Sequence, residues 1–359
     1  MIYNVIGVMS GSSLDGLDIA FCEIVDARND WSFQILHSTC IPFNEEWKQK
    51  LTNLSQMSLP EFLETDVQFG KFIGTEINNF IEQNELYHKV HFIGSHGHTA
   101  YHNPAKNVSK QIGDGATIAA TTGITTISDL RNMDVALNGQ GAPIVPMTDK
   151  LLFSEYNFCL NIGGIANITV NGAAPIAFDI CPANQLLNHY ALKAGQDFDN
   201  NGALAKNGQV DTTTLQALNE IAYYQQTGAK SLDNNFVQQL INIIDANNLS
   251  TENALATAVA HIAFQIAEVI KANVTTDDSK LIITGGGAYN QTLVAAIHQE
   301  LMMANVAVVI PDEQTIEFKE ALAMALQGTL RWREENTVFA SVTGADRDSV
   351  GGAMWLGNQ

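Results

Sequence analysis

Apolar and polar positions follow the same order twice along this chain. In the first stretch, apolar runs predict strands at residues 2–9, 17–25 and 33–41, and helical spacing predicts a helix over 59–83. A strand at 90–94, a short helix at 116–121 and a strand at 124–127 follow. Residues 132–146 are rich in Gly, Asn and Pro, which predicts the crossing between the two halves.

The second stretch restarts with three short strands. The predicted elements are strands at 157–162, 165–170 and 174–178, helices at 182–194, 213–224, 233–247 and 251–273, a strand at 281–284, a helix at 290–303, a strand at 306–310 and a last helix at 315–332. Three antiparallel strands followed by alternating helices and strands predict a mixed sheet with helices on its faces.

This repeat predicts an α/β fold of two similar domains that face each other across a central cleft. We expect the domains at residues 1–135 and 136–359, with the C-terminal helix as a candidate member of the first. A cleft between two similar domains is a common place for a ligand and for hinge closure.

Composition and charge exclude several kinds of binding partner and site. The net charge of −20 and the pI near 4.6 argue against nucleic acid and against an anionic membrane. The four cysteines form no Cys-x-x-Cys pair, which argues against a zinc site and a disulfide framework and favours a reducing cytoplasm. We expect no secretory signal, and no apolar run of the roughly 18 residues that a membrane span needs.

The turn after the first strand is the first candidate for chemistry. It consists of Gly11, Ser12, Ser13, Leu14, Asp15, Gly16, Leu17 and Asp18. Small residues between two strands expose backbone N–H groups, which suit a phosphate. The acidic Asp15 and Asp18 would repel a bare phosphate and so imply a bridging Mg²⁺. An ordinary hairpin turn explains the same composition.

Two further glycine sites lie in the second half. Gly163 and Gly164 join two strands at the place equivalent to the first turn, with Asn161 and Asn167 on either side. Gly285–Gly287 follow a buried strand, where backbone without side chains allows a flat ligand such as a purine to approach. Plain turns are the alternative at both places, and the spacing does not match a dinucleotide-binding motif.

Asp179 ends the predicted strand at 174–178 and precedes a predicted helix. A carboxylate in this position suits a general base, and an N-cap of the helix is the competing interpretation. The neighbouring Cys181 is interpreted as a packing thiol.

Polar residues in the first half are candidates for sugar contacts. His96 and His98 follow a strand, Asp114 precedes a helix as either cap or ligand contact, and Arg131 follows a strand. An arginine fork can clamp a carboxylate, and a structural ion pair is the alternative. Glu320 lies early in the last helix, where a solvated face is the default. A metal site at the histidines is disfavoured because no carboxylate lies among them.

Seven motifs in order resemble the anhydro-N-acetylmuramic acid kinases, which belong with sugar kinases, actin and the heat-shock ATPases. They are GVMSGSSLDGLD (7–18), GSHGH (94–98), QIGDG (111–115), DLR (129–131), GQGAP (139–143), NIGGIAN (161–167) and GGGAYN (285–290). The resemblance covers the whole chain and implies two duplicated ribonuclease H-like (actin-like ATPase) domains.

The resemblance also implies roles. Residues 11–18 would grip the phosphates of ATP, Gly285–Gly287 would border the adenosine, and Asp179 would be the base, with ATP and Mg²⁺ required. The implied reaction opens a 1,6-anhydro amino sugar with water and phosphorylates the freed 6-oxygen, in recycling of the cell wall. Arg131 is our own candidate for reading the lactyl carboxylate. A homodimer is left open.

Two departures from the family pattern are present. The stretch after Asp179 reads Ile180-Cys181-Pro182-Ala183-Asn184 where the family more often has Thr-Gly-Pro-Gly-Asn, and Ser12 replaces a more usual Thr. Ala183 would be costly if that position needs a positive φ. Two other functions stay open from the sequence: a kinase for an ordinary free sugar hydroxyl, and a chaperone or filament ATPase on the same scaffold.

Overall fold

Two mixed sheets organise the chain, one in each of two compact units. The computed structural model describes residues 1–11, 13–226, 230–232, 235–275 and 278–358. The first unit comprises Met1–Leu152 and Phe318–Gln359, and the second comprises Phe153–Glu317.

The strands and helices are as follows. The strands are β1 (Ile2–Ser10), β2 (Gly16–Asp26), β3 (Trp31–Pro42), β4 (Phe92–Ser95), β5 (His98–Asn103), β6 (Val108–Ile112), β7 (Thr126–Ser128), β8 (Phe158–Ile162), β9 (Ile165–Val170), β10 (Ile176–Pro182), β11 (Lys280–Thr284), β12 (Ala307–Val309) and β13 (Ala353–Trp355). The α-helices are α1 (Glu45–Thr52), α2 (Leu59–Gln83), α3 (Gly115–Thr122), α4 (Asn132–Ala136), α5 (Pro146–Leu152), α6 (Asn184–Lys193), α7 (Ala203–Asn207), α8 (Thr212–Asn219), α9 (Phe236–Asp245), α10 (Thr251–Asn273), α11 (Gln291–Leu301), α12 (Glu313–Trp332) and α13 (Ala340–Thr343).

The two main sheets share one topology. The strand order is β13-β7-β4-β1-β2-β3 in the first unit and β10-β9-β8-β11-β12 in the second. In each, the first three strands along the chain pair antiparallel, and the two later strands add in parallel beside the first. This is the ribonuclease H-like arrangement, so the predicted α/β duplication with a mixed sheet in each half is confirmed.

The unit boundaries differ from the predicted division at 135/136. The first unit continues to Leu152, and the chain returns to it at Phe318, inside α12. Gly7 on β1 and Gly94 on β4 explain why α12 belongs there, because a Cβ on either would overlap the backbone of the helix at Ala321 or Met324. The terminal strand β13 then pairs antiparallel with β7 and completes the first sheet.

In each unit, a long helix packs a buried apolar face into the core. In the first unit, α2 presents Phe69, Ile73 and Ile77 to the core at helical spacing. In the second, α10 starts at the cap Ser250, whose hydroxyl accepts the N–H of Asn253 at 3.3 Å. Residues 251–273 are long and apolar enough to cross a membrane, contrary to the expectation from the sequence. The most apolar window of α10 is 72% buried, as in the core helix of a folded unit.

A hairpin that the sequence did not predict lies beside the first sheet. Its strands β5 and β6 pair antiparallel, with His98 opposite Ile112. Gly97 precedes β5 with φ +71°, and a Cβ there would overlap the carbonyl oxygen of Ile112, so glycine is required. His98 is therefore the first residue of a strand, and its pairing with Ile112 fixes its direction.

Candidate functional site

The turn between β1 and β2 is tight. The N–H of Leu14 donates to the carbonyl of Gly11 at 3.3 Å, and Leu14 has φ +59°. Gly16 has no room for a side chain, because a Cβ would lie 2.6 Å from both Cys40 Sγ and the Ile41 carbonyl oxygen. Around Gly11 the space is open, the nearest atom to a Cβ being Ser13 Oγ at 3.6 Å. The predicted contact at Ser12 lies outside the described residues.

Side chains of this turn point in different directions. Leu17 is fully buried in the core, so it can offer only its backbone to a ligand. Asp18 is half-buried in β2 opposite Met9, and Ser13 and Asp15 are exposed. No group of three or more metal-ligating His, Cys, Asp or Glu occurs among the described residues. Mg²⁺ usually takes one or two carboxylates plus phosphate oxygens and water, and Asp15 and Asp18 are ligands of the type that it prefers.

Arg131 is tied into the first unit by two hydrogen bonds. Its Nε donates to His96 Nε2 at 2.8 Å, and its Nη1 donates to the Gly141 carbonyl at 2.6 Å. His96 Nδ1 lies 2.9 Å from the Gly97 carbonyl, so this imidazole is neutral with its proton on Nδ1. Burial and the charge of Arg131 lower the pKa of His96 to about 3, and burial lowers the pKa of Arg131 to about 10.

His98 connects the hairpin to the end of β1. Its Nδ1 lies 2.9 Å from Ser10 Oγ, and burial lowers its pKa to about 4. His96 and His98 are both buried and neutral, so they can exchange hydrogen bonds with hydroxyls without adding charge. The two histidines lie on either side of Gly97. His98 contacts Ser10, the last residue of β1, directly before the Gly-Ser turn.

Glu320 lies beside a buried ion pair on α12. Lys319 Nζ is 2.6 Å from Asp149 Oδ1, and both side chains are buried. Burial raises the pKa of Glu320, while the charges of Arg131 and Lys319 lower it. The Glu320 side chain is exposed, and the two nearby cations favour its charged form. That combination suits a polar ligand contact.

Asp114 is a helix cap. Its Oδ2 accepts the N–H of Thr117 at 2.8 Å and also the Thr117 hydroxyl. Gly70 on α2 lies so close that a Cβ would be 2.8 Å from the Asp114 carbonyl oxygen. The cap alternative of the sequence analysis is thus the one that the structure shows.

Both glycine sites of the second unit lie at the same end of its sheet. β8 and β11 pair in parallel with Asn161 beside Thr284, so the turns that follow them are neighbours. The carbonyls of Gly163 and Gly164 accept N–H groups from the start of α6, at 3.1 Å from Asn184 and 2.8 Å from Ala183. The second turn is therefore anchored to the helix rather than loose.

The three consecutive glycines are not equivalent. Gly285 has φ +79°, and Gly287 packs so closely on Ile162 that a Cβ would overlap that side chain. Gly286 faces open space, with Asn184 Nδ2 the nearest atom to a Cβ at 3.8 Å. Two of these glycines are explained by backbone geometry and packing, and Gly286 is the one at which backbone is accessible to a ligand.

Asp179 lies inside β10 and not at a strand end as predicted. The ladder with β9 shifts register between Asp179 and Cys181, so a bulge interrupts the alternation of β10 directly after Asp179. The N-cap of α6 is Ala183, so the capping alternative for Asp179 is wrong. Ala183 has φ −122°, so this position does not need the positive φ that would make alanine costly in place of the family's usual glycine.

Hydrogen bonds fix Asp179 on three sides. Oδ2 accepts the N–H of Leu232 at 3.0 Å and the hydroxyl of Ser231 at 3.3 Å. The Tyr223 hydroxyl donates to the Asp179 carbonyl at 2.7 Å, and the Asp179 N–H donates to Lys230 at 3.0 Å. Burial raises the pKa of Asp179, and the two donors on Oδ2 lower it. Such a carboxylate is oriented and more basic than one in water.

Residues 3–357 match the family described as Anhydro-N-acetylmuramic acid kinase. The chain belongs to this family. A member from Sulfurimonas denitrificans is 34% identical over 371 residues, with 98% of each chain covered. One from Pseudomonas fluorescens is 33% identical over 371 residues, again with 98% of each covered. A solved ROK hexokinase from Thermus thermophilus aligns over 92% of this chain and 99% of its own, at 13% identity and a TM-score of 0.43.

For this member of the anhydro-N-acetylmuramic acid kinase family, the sequence analysis missed the residues that orient the candidate side chains. Tyr223 and Ser231 hold Asp179, and Asp134 holds the loop that contacts Arg131. Only Asp134 left a signal in the sequence, as a carboxylate between two of the seven motifs. Tyr223 and Ser231 lie more than 40 residues from Asp179, so no local pattern in the sequence links them to it.

Proposed function

We propose that this protein is an ATP-dependent kinase that opens 1,6-anhydro-N-acetylmuramic acid with water and phosphorylates it to N-acetylmuramic acid 6-phosphate. The observation that carries the proposal is Asp179, a half-buried carboxylate whose Oδ2 accepts two hydrogen bonds and whose pKa is raised by burial. The substrate is inferred from the match to the family over residues 3–357 and from the names of its relatives.

Asp179 acts as the general base in this proposal. It accepts a proton from water while the water oxygen bonds to the anomeric carbon, and the bond from that carbon to O6 breaks. O6 then attacks the γ-phosphorus of ATP, and the bond from that phosphorus to the β–γ bridging oxygen breaks to release ADP. One water, one sugar and one ATP give the phosphosugar, ADP and a proton.

Three glycine-rich sites bind the nucleotide in this proposal. The turn at residues 11–18 offers backbone N–H groups to the phosphates, while Gly163, Gly164 and Gly285–Gly287 border the nucleotide, with Gly286 the accessible backbone. Asp18 and Asp15 would hold Mg²⁺, which supplies a positive charge against the phosphate oxygens when bound.

Sugar recognition falls to the first unit. Neutral His96 and His98 suit hydroxyl and amide groups, Arg131 suits the lactyl carboxylate, and exposed Glu320 suits a sugar hydroxyl. Asp114 already caps α3, so its further contact to the sugar is the least supported of these assignments. Free thiols at all four cysteines and the use of ATP support a cytoplasmic location.

A coupled assay of ADP release tests the function. With ATP, 1,6-anhydro-N-acetylmuramic acid should give stoichiometric ADP and a phosphomonoester at the 6-position by ³¹P NMR. The matching reducing sugar, N-acetylmuramic acid, is the control substrate. Phosphorylation of the reducing sugar alone would replace the proposal with an ordinary sugar kinase, and ADP release without either sugar would indicate an ATPase.

A further inference from the structure

Asp134 is a buried carboxylate of the first unit, and it shares the hydrogen-bond partner Gly141 with Arg131. Its side chain is 1% exposed. Oδ2 accepts the N–H of Gly141 at 2.7 Å, and Oδ1 accepts the hydroxyl of Thr343 at 2.7 Å. Burying an anion is costly unless its hydrogen bonds are satisfied, and these two bonds are the ones that the described residues provide.

The glycine-rich loop at residues 139–143 wraps around this carboxylate. The Gly139 N–H donates to the Asp134 carbonyl at 2.9 Å, and a Cβ on Gly139 would overlap Asp134 Oδ2. Gly141 has φ +65°, and a Cβ there would lie 2.5 Å from Val135 Cγ2. Both glycines are therefore required for the loop to close on Asp134.

The same loop fixes the direction of the Arg131 guanidinium. Gly141 donates its N–H to Asp134 and accepts Arg131 Nη1 on its carbonyl, while His96 Nε2 takes Arg131 Nε. Two contacts on different nitrogens define the plane of the guanidinium. With Nε occupied, the fork that remains is the end-on pair formed by Nη1 and Nη2.

We propose that Asp134 is a positioning residue that, through the backbone of Gly141, aims the Nη1–Nη2 edge of Arg131 at a ligand carboxylate. This inference deepens the proposed function and rests on it for the identity of that carboxylate. Among the described residues, Asp134 accepts no hydrogen bond from Arg131 itself. Its charge raises the pKa of Arg131 against the effect of burial, and its effect on the direction of the guanidinium passes through the Gly141 backbone. A carboxylate that binds end-on receives two parallel N–H groups, which gives both affinity and orientation.

A double-mutant cycle with Arg131 separates positioning from general stability. Asp134→Ala should raise KM for the anhydro sugar about tenfold and leave KM for ATP within about twofold. Asp134→Asn should recover most of the loss, because its Oδ1 can accept the Gly141 N–H while its amide faces Thr343. In an Arg131→Ala background, Asp134→Ala should add less than about twofold. Effects that multiply in the double variant would overturn the proposal.

Matched controls test the specificity of this effect. Asp346 is an exposed carboxylate of the neighbouring C-terminal segment that accepts Asn138 Nδ2 at 2.9 Å, so Asp346→Ala should leave both KM values unchanged. Thr343→Val removes the bond to Oδ1 and keeps the bond to Gly141, and should raise KM for the sugar about threefold. A sugar KM raised equally by Asp346→Ala would contradict the assignment.

A measurement independent of turnover separates this inference from the proposed function. In ¹⁵N-histidine NMR spectra, with His96 assigned by its loss in His96→Gln, folded Asp134→Ala should move the Nε2 resonance in the same direction as Arg131→Ala. An unmoved resonance would refute the link from Asp134 to Arg131 even if the enzyme is active. A moved resonance in a protein that does not turn over the anhydro sugar would retain the positioning role and reject the substrate.

Discussion

The two units share a sheet topology but hold their polar side chains in opposite ways. In the first unit, Arg131 is a cation whose partners are the neutral imidazole of His96 and a backbone carbonyl. In the second, Asp179 is an anion at a β-bulge whose partners are donors from the stretch 223–232. A duplicated fold thus carries two unlike sites, and its chemistry lies in the side chains added to it.

Asp179→Asn tests the role of the carboxylate in the second unit and should have the largest effect. Loss of the base should lower kcat by about a thousandfold, since general bases contribute roughly 10²–10⁴. ATP binding should persist, because the glycine sites are untouched. Rates of phosphosugar formation together with nucleotide titration by fluorescence check this, and an unchanged kcat would place the base elsewhere.

Arg131→Ala tests the role of the guanidinium in the first unit. Removing the fork should raise KM for the anhydro sugar about ten- to a hundredfold, the range of a charge-assisted pair, with a smaller change in kcat. Arg347→Ala, at an exposed position, is the matched control and should behave as wild type. Equal sugar KM in the two variants would remove the carboxylate clamp.

Substitutions at Gly286 and Gly287 separate a glycine proposed to contact the nucleotide from one required by packing. Gly287→Ala should lower the free energy of unfolding by about 1–3 kcal/mol, because its Cβ would overlap Ile162. Gly286→Ala should keep the stability and raise KM for ATP about three- to tenfold, because the new methyl occupies open space. Thermal unfolding and ATP kinetics on both variants distinguish the roles. A normal ATP KM in Gly286→Ala would exclude close approach there.

Ser231→Ala is the mildest change and tests the hydrogen bonds to the base. The two donors lower the pKa of Asp179, so removing one should raise that pKa further. Since the base works deprotonated, the acid limb of the kcat profile should move to higher pH. Ser55→Ala, exposed and distant in sequence, serves as control. An acid limb that does not move would show that Ser231 leaves the base unaffected.

How much the sequence predicted depended on how regular the pattern was. The helix Leu59–Gln83, the strand Ile165–Val170 and the helix Thr251–Asn273 were predicted at their bounds because their apolar spacing is unbroken. The strand with Asp179 was predicted too short, since the bulge before Cys181 interrupts alternation. The hairpin β5–β6 was missed because its strands carry His, Asn and Lys instead of a buried apolar face.

The candidate site was predictable only as far as its residues lie in motifs. Arg131, His96 and Asp179 stand out by residue type beside glycine-rich turns. Their supports do not, because Thr343 reaches Asp134 across 209 positions and Ser231 reaches Asp179 across 52. Contacts between distant segments depend on the packed fold and leave no local pattern.

Solvent labelling tests the central claim, that Asp179 activates water at the anomeric carbon while the sugar's own 6-oxygen takes the phosphoryl group. The reaction is run in H₂¹⁸O with ATP and the anhydro sugar, quenched by borohydride, and analysed by mass spectrometry. One ¹⁸O at C1 and none in the phosphoryl group is the result expected. Label in the phosphoryl group, or none at C1, would contradict the account.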